Sequence, residues 1–317
     1  MPLYKQVNLR SVKTIPIGRR KNKVRLQDFA RPYEPQKEKF SLFVRSLPHI
    51  LAAGDLRLFV DDVVRATRRG KPVVVLIGAH VIKVGLSPLL IDLLKRKVIT
   101  CVAMNSAAAI HDVEIALWGK TSEDVEANIK NGSFGMARET GDFINGALAR
   151  GWVEDRAGYG EVLGKQLQKA PNRRLSLLAT CYGLKVPVTV HAAIGTDIVH
   201  QQPSMDGAST GELSFRDFKV LANVVKDLRG GGVVMNIGSA VVLPEVFLKA
   251  LTVARNLGFK ARGFTTANFD MIQHYRARMN VVQRPTREKG RGFLFTGHHE
   301  IMIPLLCAMI KNRLRRH

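Results

Sequence analysis

The sequence predicts an α/β protein: a doubly wound, mostly parallel sheet with helices on both faces. Three observations carry this. Short continuous apolar runs rich in β-branched residues alternate with longer amphipathic stretches from residue 72 onward. Most of these runs empty into a loop of small residues that opens the next helix, which is the repeating unit of a parallel sheet. With 317 residues, 46% of them hydrophobic, the chain has material for a sizeable core.

Taken in order, "PVVVLIGAH" (72–80) is a strand ending at Gly78, and "SPLLIDLLKRK" (87–97) is a helix with Pro88 in its first turn. "VITCVAM" (98–104) leads into "NSAAAIHDVEIAL" (105–117), a low-profile turn followed by a helix. Residues 123–130, 138–150, 156–169 and 174–185 carry helical spacing. "VPVTVHA" (186–192) is a strand that runs out near "AIGTDIVH" (193–200). "SFRDFKVLANVVKDL" (214–228) is an amphipathic helix closed by the glycines 230–232. "GVVMNIGSA" (232–240) repeats the strand-to-small-loop pattern before the helix at 243–258. "ARGFTTANFD" (261–270) and "RGFLFTGHHE" (291–300) supply two more strands, and a helix over 300–314 closes the chain. No internal repeat and no Pro- or Ser-rich linker interrupts the series. A single domain over 41–317 behind a basic arm over 1–40 is therefore expected.

Composition narrows the function classes. No run of 18 apolar residues occurs and the N-terminus lacks an apolar signal core, so a cytoplasmic protein with no membrane span is expected. Cys101, Cys181 and Cys307 are widely spaced in apolar surroundings, as reduced core residues are. The net charge of +23, from 49 basic and 26 acidic residues, attracts polyanions without specifying one. Residues 1–37 hold ten Lys or Arg against two acids, the tail "KNRLRRH" adds four, and 274–291 holds six against Glu288 alone. The two ends fit either a solvated basic surface or a nucleic-acid contact, and they lack interleaved aromatics.

In doubly wound sheets ligands bind beyond the C-terminal strand ends, where strand order reverses. The chemically distinctive residues fall there: His80; Asn105, Ser106, His111 and Asp112; Thr196, Asp197 and His200; Gly238, Ser239 and Glu245; Thr266, Ala267 and Asp270; His298, His299 and Glu300. The small loop at 105–109 is thus expected to wall a cofactor or substrate pocket. His111 and Asp112 also suit a purely structural role at a helix start. Standard nucleotide fingerprints are absent: "GYGEVLGK" (158–165) misses the spacing of both G-x-G-x-x-G and the P-loop. No His pair has H-x-x-x-H spacing, and no metal site is expected.

Over roughly residues 40–310 the chain resembles the deoxyhypusine synthases and their bacterial relatives. The likeness is carried by the order of elements and by "MNSAAAIHDVEIAL", "GTDIVH", "VVKDLRGGGVVMNIGSAVVLPEVFLKALTVARNLG" and "TTANFD". It implies a Rossmann-like sheet, a homotetramer or at least a dimer, and NAD used to oxidise spermidine before aminobutyl transfer to a lysine. On this chain it implies cofactor contacts from Asn105, Ser106, Gly238, Ser239, Thr266, Ala267 and His298. It also offers His111, Asp112, Asp197 and Glu245 as acid or base candidates. Of the family's two acids opening the helix, the second is kept as Asp112, while His111 replaces the first.

The departures concern the substrate. The family's Asp-, Glu- and Trp-containing loop ends in Trp-Gly-Lys, whose lysine forms a covalent imine; here it reads "QHYRARMNVVQRPTREKGRG". Pro285 falls at the lysine, and Lys289 reaches that place only with a gap. Arg276, Arg278, Arg284 and Arg287 stand where acids would hold a polyamine. A like-charge contact at 4 Å costs about 4 kcal/mol at an effective dielectric of ~20, whereas guanidinium forks suit phosphate or carboxylate. These arginines therefore either bind an anionic substrate, face solvent, or pair across a subunit interface. Two function classes stand: an NAD-dependent transferase or oxidoreductase with an anionic substrate or with orthodox aminobutyl transfer, and a non-catalytic NAD- or nucleic-acid-binding protein.

Overall fold

A computed structural model of the chain describes residues 39–154 and 156–315. Most of the basic arm expected over 1–40, and the last two residues of the basic tail, lie outside the described residues. The chain divides after Gly54 into Met1–Gly54 and Asp55–His317. In the first unit the described part holds helix α1 (Phe40–Ser46) and the start of α2 (Leu51–Arg68), which continues into the second.

The second unit is built on six strands: β1 (Val73–Ile77), β2 (Cys101–Asn105), β3 (Val188–His191), β4 (Val233–Ile237), β5 (Thr265–Asp270) and β6 (Arg291–Thr296). Every neighbouring pair is parallel, and the order is β3-β2-β1-β4-β5-β6. This is the standard Rossmann order, with the reversal between β1 and β4. The expected mostly parallel sheet is thus wholly parallel. β1 to β5 are buried almost throughout, which is why β1 reads in the sequence as a continuous apolar run and β2 and β4 are apolar but for one asparagine each.

Helices join the strands: α3 (Ala79–Lys83) and α4 (Ser87–Lys95) after β1, then α5 (Ser106–Trp118), α6 (Val125–Ile129), α7 (Arg138–Glu154), α8 (Tyr159–Gln166) and α9 (Leu177–Leu184) after β2. α10 (Gly207–Val225) precedes β4, and α11 (Val242–Asn256) follows it. After β5, α12 (Tyr275–Ala277), a π-helical stretch over Arg278–Gln283 and α13 (Arg284–Thr286) run without a break, and α14 (His299–Leu314) ends the series. Among the described residues no helix is long and apolar enough to cross a membrane.

Leu221, Val225 and Leu228 at the end of α10, together with Leu243, Phe247 and Leu251 of α11, pack on the sheet face presented by Val74, Leu76, Cys101 and Ala103. On β5 and β6, Phe59 of α2 meets Phe269, Phe293 and Phe295 with ring centroids 5.6–5.9 Å apart. Burying apolar area contributes about 25 cal/mol per Å², so both layers stabilise the sheet. All three cysteines are buried and unpaired by disulfides, and burial pushes the Cys101 and Cys307 thiols up to about 12. They sit inertly in the core.

β5 departs from the apolar rule, since four of its six residues are polar. Its one amide, Asn268, is satisfied laterally through both of its polar atoms. Asn236 Nδ2 donates to Asn268 Oδ1 at 2.6 Å, Asn268 Nδ2 to Gln273 Oε1 at 2.7 Å, and Gln273 Nε2 to the Phe295 carbonyl at 3.0 Å. This chain ties β4, β5 and β6 together near their C-terminal ends, where an unpaired amide would cost about 1–3 kcal/mol.

Candidate functional site

α5 begins directly at the end of β2 because Asn105 caps it, its Oδ1 accepting the Ala108 N–H at 3.0 Å. The 3.6-residue period then puts Ala107, Ile110, His111, Glu114 and Trp118 on one face. That face is a wall of a cleft of about 720 Å³, a volume typical of small-molecule sites. Lys83 of α3 and the stretch Thr196–Ile198 beyond β3 form further walls, and residues 120–140 complete it. The covering segment is pinned from a distance: Gln201 Nε2 donates to the Phe134 carbonyl at 2.7 Å, and Gln202 Nε2 to those of Gly135 and Ala137 at 2.9 and 3.0 Å. Gly135 allows this approach, having φ +76° and a Cβ position 2.2 Å from Gln201 Nε2.

Inside the cleft His111, Thr121 and Glu114 form a chain. The Thr121 hydroxyl donates to Glu114 Oε2 at 2.5 Å and lies 2.5 Å from His111 Nδ1. A hydroxyl has one proton, so Thr121 accepts from His111, which places an imidazole proton on Nδ1; in the neutral ring Nε2 then keeps its lone pair. Thr140 Oγ1 donates to the other carboxylate oxygen of Glu114 at 3.0 Å. Burial acts to raise the Glu114 pKa, but the nearby His111, 3.8 Å away, and the hydrogen bonds from Thr121 and Thr140 together hold it below the usual carboxylate range.

A second cluster lies at the floor. Ser106 donates its hydroxyl to Asp197 Oδ2. His200 Nδ1 accepts the N–H groups of Gly195 and Asp197 at 3.2 Å, so its proton is on Nε2, 3.9 Å from Asp197 Oδ2. Desolvation raises the Asp197 pKa against the opposing pull of Ser106, His200 and His111. With Glu114, Glu123, Glu139 and Asp197 against Lys83 and Lys120, the lining has two more carboxylates than ammonium groups. In a chain of net charge +23, this local excess of acid favours a cationic ligand.

The switch point lies next along the same edge, joined to the cleft through α3, which carries both His80 and Lys83. Gly78 ends β1 and Gly238 ends β4, and a Cβ on Gly78 would fall 2.1 Å from the Gly238 carbonyl oxygen. Gly238 has φ +66°, and its own Cβ would fall 2.9 Å from the His299 ring. His299 is buried; its Nε2 lies 3.1 Å from the Phe269 carbonyl, while its Nδ1 has no partner. His80 packs against it at 5.5 Å between centroids, and burial followed by the His299 charge lowers the His80 pKa. Ser239 Oγ accepts the Leu243 N–H at 3.2 Å in the first turn of α11, a 15-residue helix. Glycine-only backbone, a helix start and an orphaned buried nitrogen at the reversal point fit the pyrophosphate of a dinucleotide.

The structure thus brings His111 and Asp197 to one cleft, with Ser106 buried behind Asp197 and bonded to it, and Gly238 and Ser239 to the adjoining switch point. It separates the other expected residues from both. Asp112 is fully buried and accepts Ser176 Oγ–H at 2.5 Å and the N–H groups of Leu177 and Leu178 at 2.8 and 3.1 Å; it caps α9 instead of facing a substrate. Asn105 is likewise taken up by its cap. Thr266 and Ala267 lie early in β5, fully buried, because the strand runs on to Asp270. His298 is exposed at the start of α14, pairing with Glu300 at 3.6 Å, and its neighbour His299 occupies the crevice.

Glu245 lies outside the cleft, bound to Lys249, to Arg276 Nη1 at 2.5 Å and to Asn280 Nδ2 at 2.6 Å. The four arginines do not converge. Arg276, Arg278, Arg284 and Arg287 are exposed along the helical run from the C-terminal end of β5 to the N-terminal end of β6. At 1.5 Å per residue the first and last are on the order of 15 Å apart. Arg284 donates to Asn280 Oδ1 at 2.6 Å and to Tyr275 Oη at 3.2 Å. Lys289 ends this run beside Gly263, before β5 and β6 begin, at the opposite end of the strands from the cleft. It therefore does not supply the missing lysine within this chain.

Sequence reasoning passed over Glu114, Thr121 and Lys83. The spacing of His111 and Glu114, three apart on one helix, was the available signal for the first. Among the described residues no group of three or more His, Cys, Asp or Glu is placed to hold a metal.

No protein-family model matches the sequence, and no curated protein matches it. Solved structures do share the fold. A conserved candidate LOR/SDH protein from Methanococcus maripaludis S2 superposes with a TM-score of 0.51 at 15% identity, over 82% of this chain and 70% of its own. AgrE, solved as a ternary complex with ornithine and NAD+, gives 0.51 at 13% identity over 82% of this chain and 32% of its own, so this chain spans about a third of that protein. A candidate deoxyhypusine synthase from Entamoeba histolytica gives 0.50 at 9% identity, over 90% of this chain and 98% of its own. At these identities the likeness is one of fold: the chain has the deoxyhypusine-synthase-like, Rossmann-type architecture.

Proposed function

We propose that this chain is an NAD-dependent oxidoreductase or transferase that takes an amine-bearing, cationic substrate in the acidic cleft, with His111 as its base. The observation that carries the proposal is the His111–Thr121–Glu114 chain, which fixes the neutral imidazole in the tautomer whose Nε2 is free to accept a proton, in a cleft with excess carboxylate. An anionic substrate, expected from the arginines, is not favoured, because none of the four lines this cleft.

Bound at the switch point, the nicotinamide cofactor would supply a hydride acceptor. The chain's own residues do the rest. His111 Nε2 takes the proton released as the substrate carbon is oxidised. Thr121 and Glu114 keep the imidazole in the required tautomer and stabilise the imidazolium once formed, a contribution of about 10²–10⁴ in rate for such a base. Glu139 and Asp197 attract the substrate's ammonium groups, and Trp118, Phe134 and Ile198 exclude water from its carbon chain. The resemblance and the NAD+ complex of AgrE support the cofactor assignment. A homotetramer or dimer, checked by light scattering, is part of the same reading.

The test uses thermal unfolding and NADH absorbance. NAD should raise the unfolding midpoint by mass action, and spermidine, as the polyamine probe, should yield NADH in the wild type but not in His111→Ala. No shift at millimolar NAD removes the cofactor. NADH formed with carboxylate or phosphate substrates but not with amines restores the anionic alternative.

A further inference from the structure

The opposite end of the sheet carries a second concavity, of about 480 Å³, lined by Lys71, Lys226, Arg229 and Lys260 with Phe259 and the single acid Asp227. It is formed where the chain enters β1, β4 and β5, so the whole body of the sheet lies between it and the cleft of His111. Among the described residues, none of its four cations makes an ion pair. Four like charges gathered about one hollow repel one another, and an anion between them would relieve that repulsion. Four cations with a single acid about one concavity suit an anionic ligand.

The hollow also carries an aromatic surface. Phe259 is 43% exposed, a large apolar ring left in water among cations, and Lys226 Nζ stands over it 5.3 Å from the centroid. Gly230 and Gly231 follow Arg229 with φ of +70° and +118°, and nothing lies within 4 Å of where their Cβ atoms would be. The chain next to Arg229 therefore carries no side chains that would crowd the rim of the hollow. Cations with an exposed aromatic ring are the chemistry of phosphate contact plus base stacking.

We propose that this hollow binds a nucleotide unit, its phosphate held by Lys71, Lys226, Arg229 and Lys260 and its base stacked on Phe259. The unit is either a free nucleotide or one residue of a single strand, and the two share this chemistry. The site is independent of the NAD reading, which concerns the other end of the strands.

Fluorescence anisotropy and competition on the full-length chain at physiological salt test it, with inorganic phosphate, AMP and a single-stranded RNA of about ten nucleotides as probes. The double variant Lys226→Ala/Arg229→Ala should bind AMP or the RNA about tenfold more weakly and show a shallower salt dependence. Phe259→Leu, which keeps an apolar side chain but removes the ring, should weaken AMP or RNA and leave phosphate unchanged. Loss of AMP binding assigns a free nucleotide, and loss confined to RNA assigns a strand. Stabilisation by NAD should persist in both variants. The proposal is overturned if both variants fold with wild-type midpoints and bind AMP and RNA within twofold of wild type, or if phosphate alone responds.

Discussion

Replacing Asp112 with asparagine separates a cap from a catalytic acid. Burial pushes this carboxyl up to about 6, with the hydrogen bonds from Ser176, Leu177 and Leu178 opposing. Its folded pKa lies above the unfolded value of about 3.9. The stability it contributes is therefore full below pH ~4 and is lost as the pH rises through 6. About two pH units at about 1.4 kcal/mol each give about 3 kcal/mol. Asparagine does not titrate, so the stability difference between wild type and Asp112→Asn should move by that amount between pH 4 and 6.5, with wild type relatively favoured at the acid end. Asparagine also keeps an acceptor for the Leu177 N–H but turns its amide toward the Leu178 N–H, leaving a buried donor unpaired at about 1–3 kcal/mol. Alanine leaves all the donors of the cap unpaired and should remove several kcal/mol of a total of about 5–15. Urea unfolding at closely spaced pH values reads both effects. A difference that is flat with pH, or a folded asparagine variant of wild-type stability that has lost turnover, would refute the capping argument and return Asp112 to the chemistry.

Further expectations concern other positions. Asp217 is fully buried, accepts the Gly160 and Val190 N–H groups at 2.8 and 2.6 Å, and is pushed up by burial to about 8. By the same sign, wild type should lose stability relative to Asp217→Asn from pH 4 to 8, a wider window than that of Asp112, read by the same urea titration. Thr121→Val keeps the shape but cuts His111 from Glu114, and should lower turnover roughly 10- to 100-fold with KM little changed, in steady-state kinetics. Gly78→Ala should part the ends of β1 and β4, costing several kcal/mol and abolishing stabilisation by NAD in thermal unfolding. Arg276→Ala should leave amine-substrate affinity within twofold by calorimetry, because its partner is Glu245 and the cleft does not include it.

Much of the fold was legible because parallel strands buried on both faces must be apolar runs, and "VVVLI" or "VVMNI" states that outright. β5 was harder to delimit. Thr266, Asn268 and Asp270 look like loop chemistry, and what holds Asn268 in the strand is the amide chain through Gln273 and through Asn236, which lies 32 residues away in sequence. In α5, His111 and Asp112 are adjacent letters, yet 100° of helical turn sends one to the cleft and the other to the core. A helix apolar on nearly every side gives no pattern by which to rank them. The covering segment was illegible as a wall because Gln201 and Gln202, which pin it, lie more than sixty residues away.

The π-helical stretch over Arg278–Gln283 amounts to one extra residue accommodated in an otherwise α-helical run. Deleting one residue there would restore ordinary winding, and because a bulge absorbs its extra residue locally, the residues before and after it would keep their facing. Arg284 and Arg287 would stay on the outer surface and Pro285 would stay buried, while every residue after the deletion moved one place in number. The charges this segment displays are thus insulated from its length. A homologue differing by a single insertion or deletion here would present the same charge pattern under shifted numbers on an unchanged sheet, and alignments across this stretch should be anchored at β5 and β6 before any arginine is equated between chains.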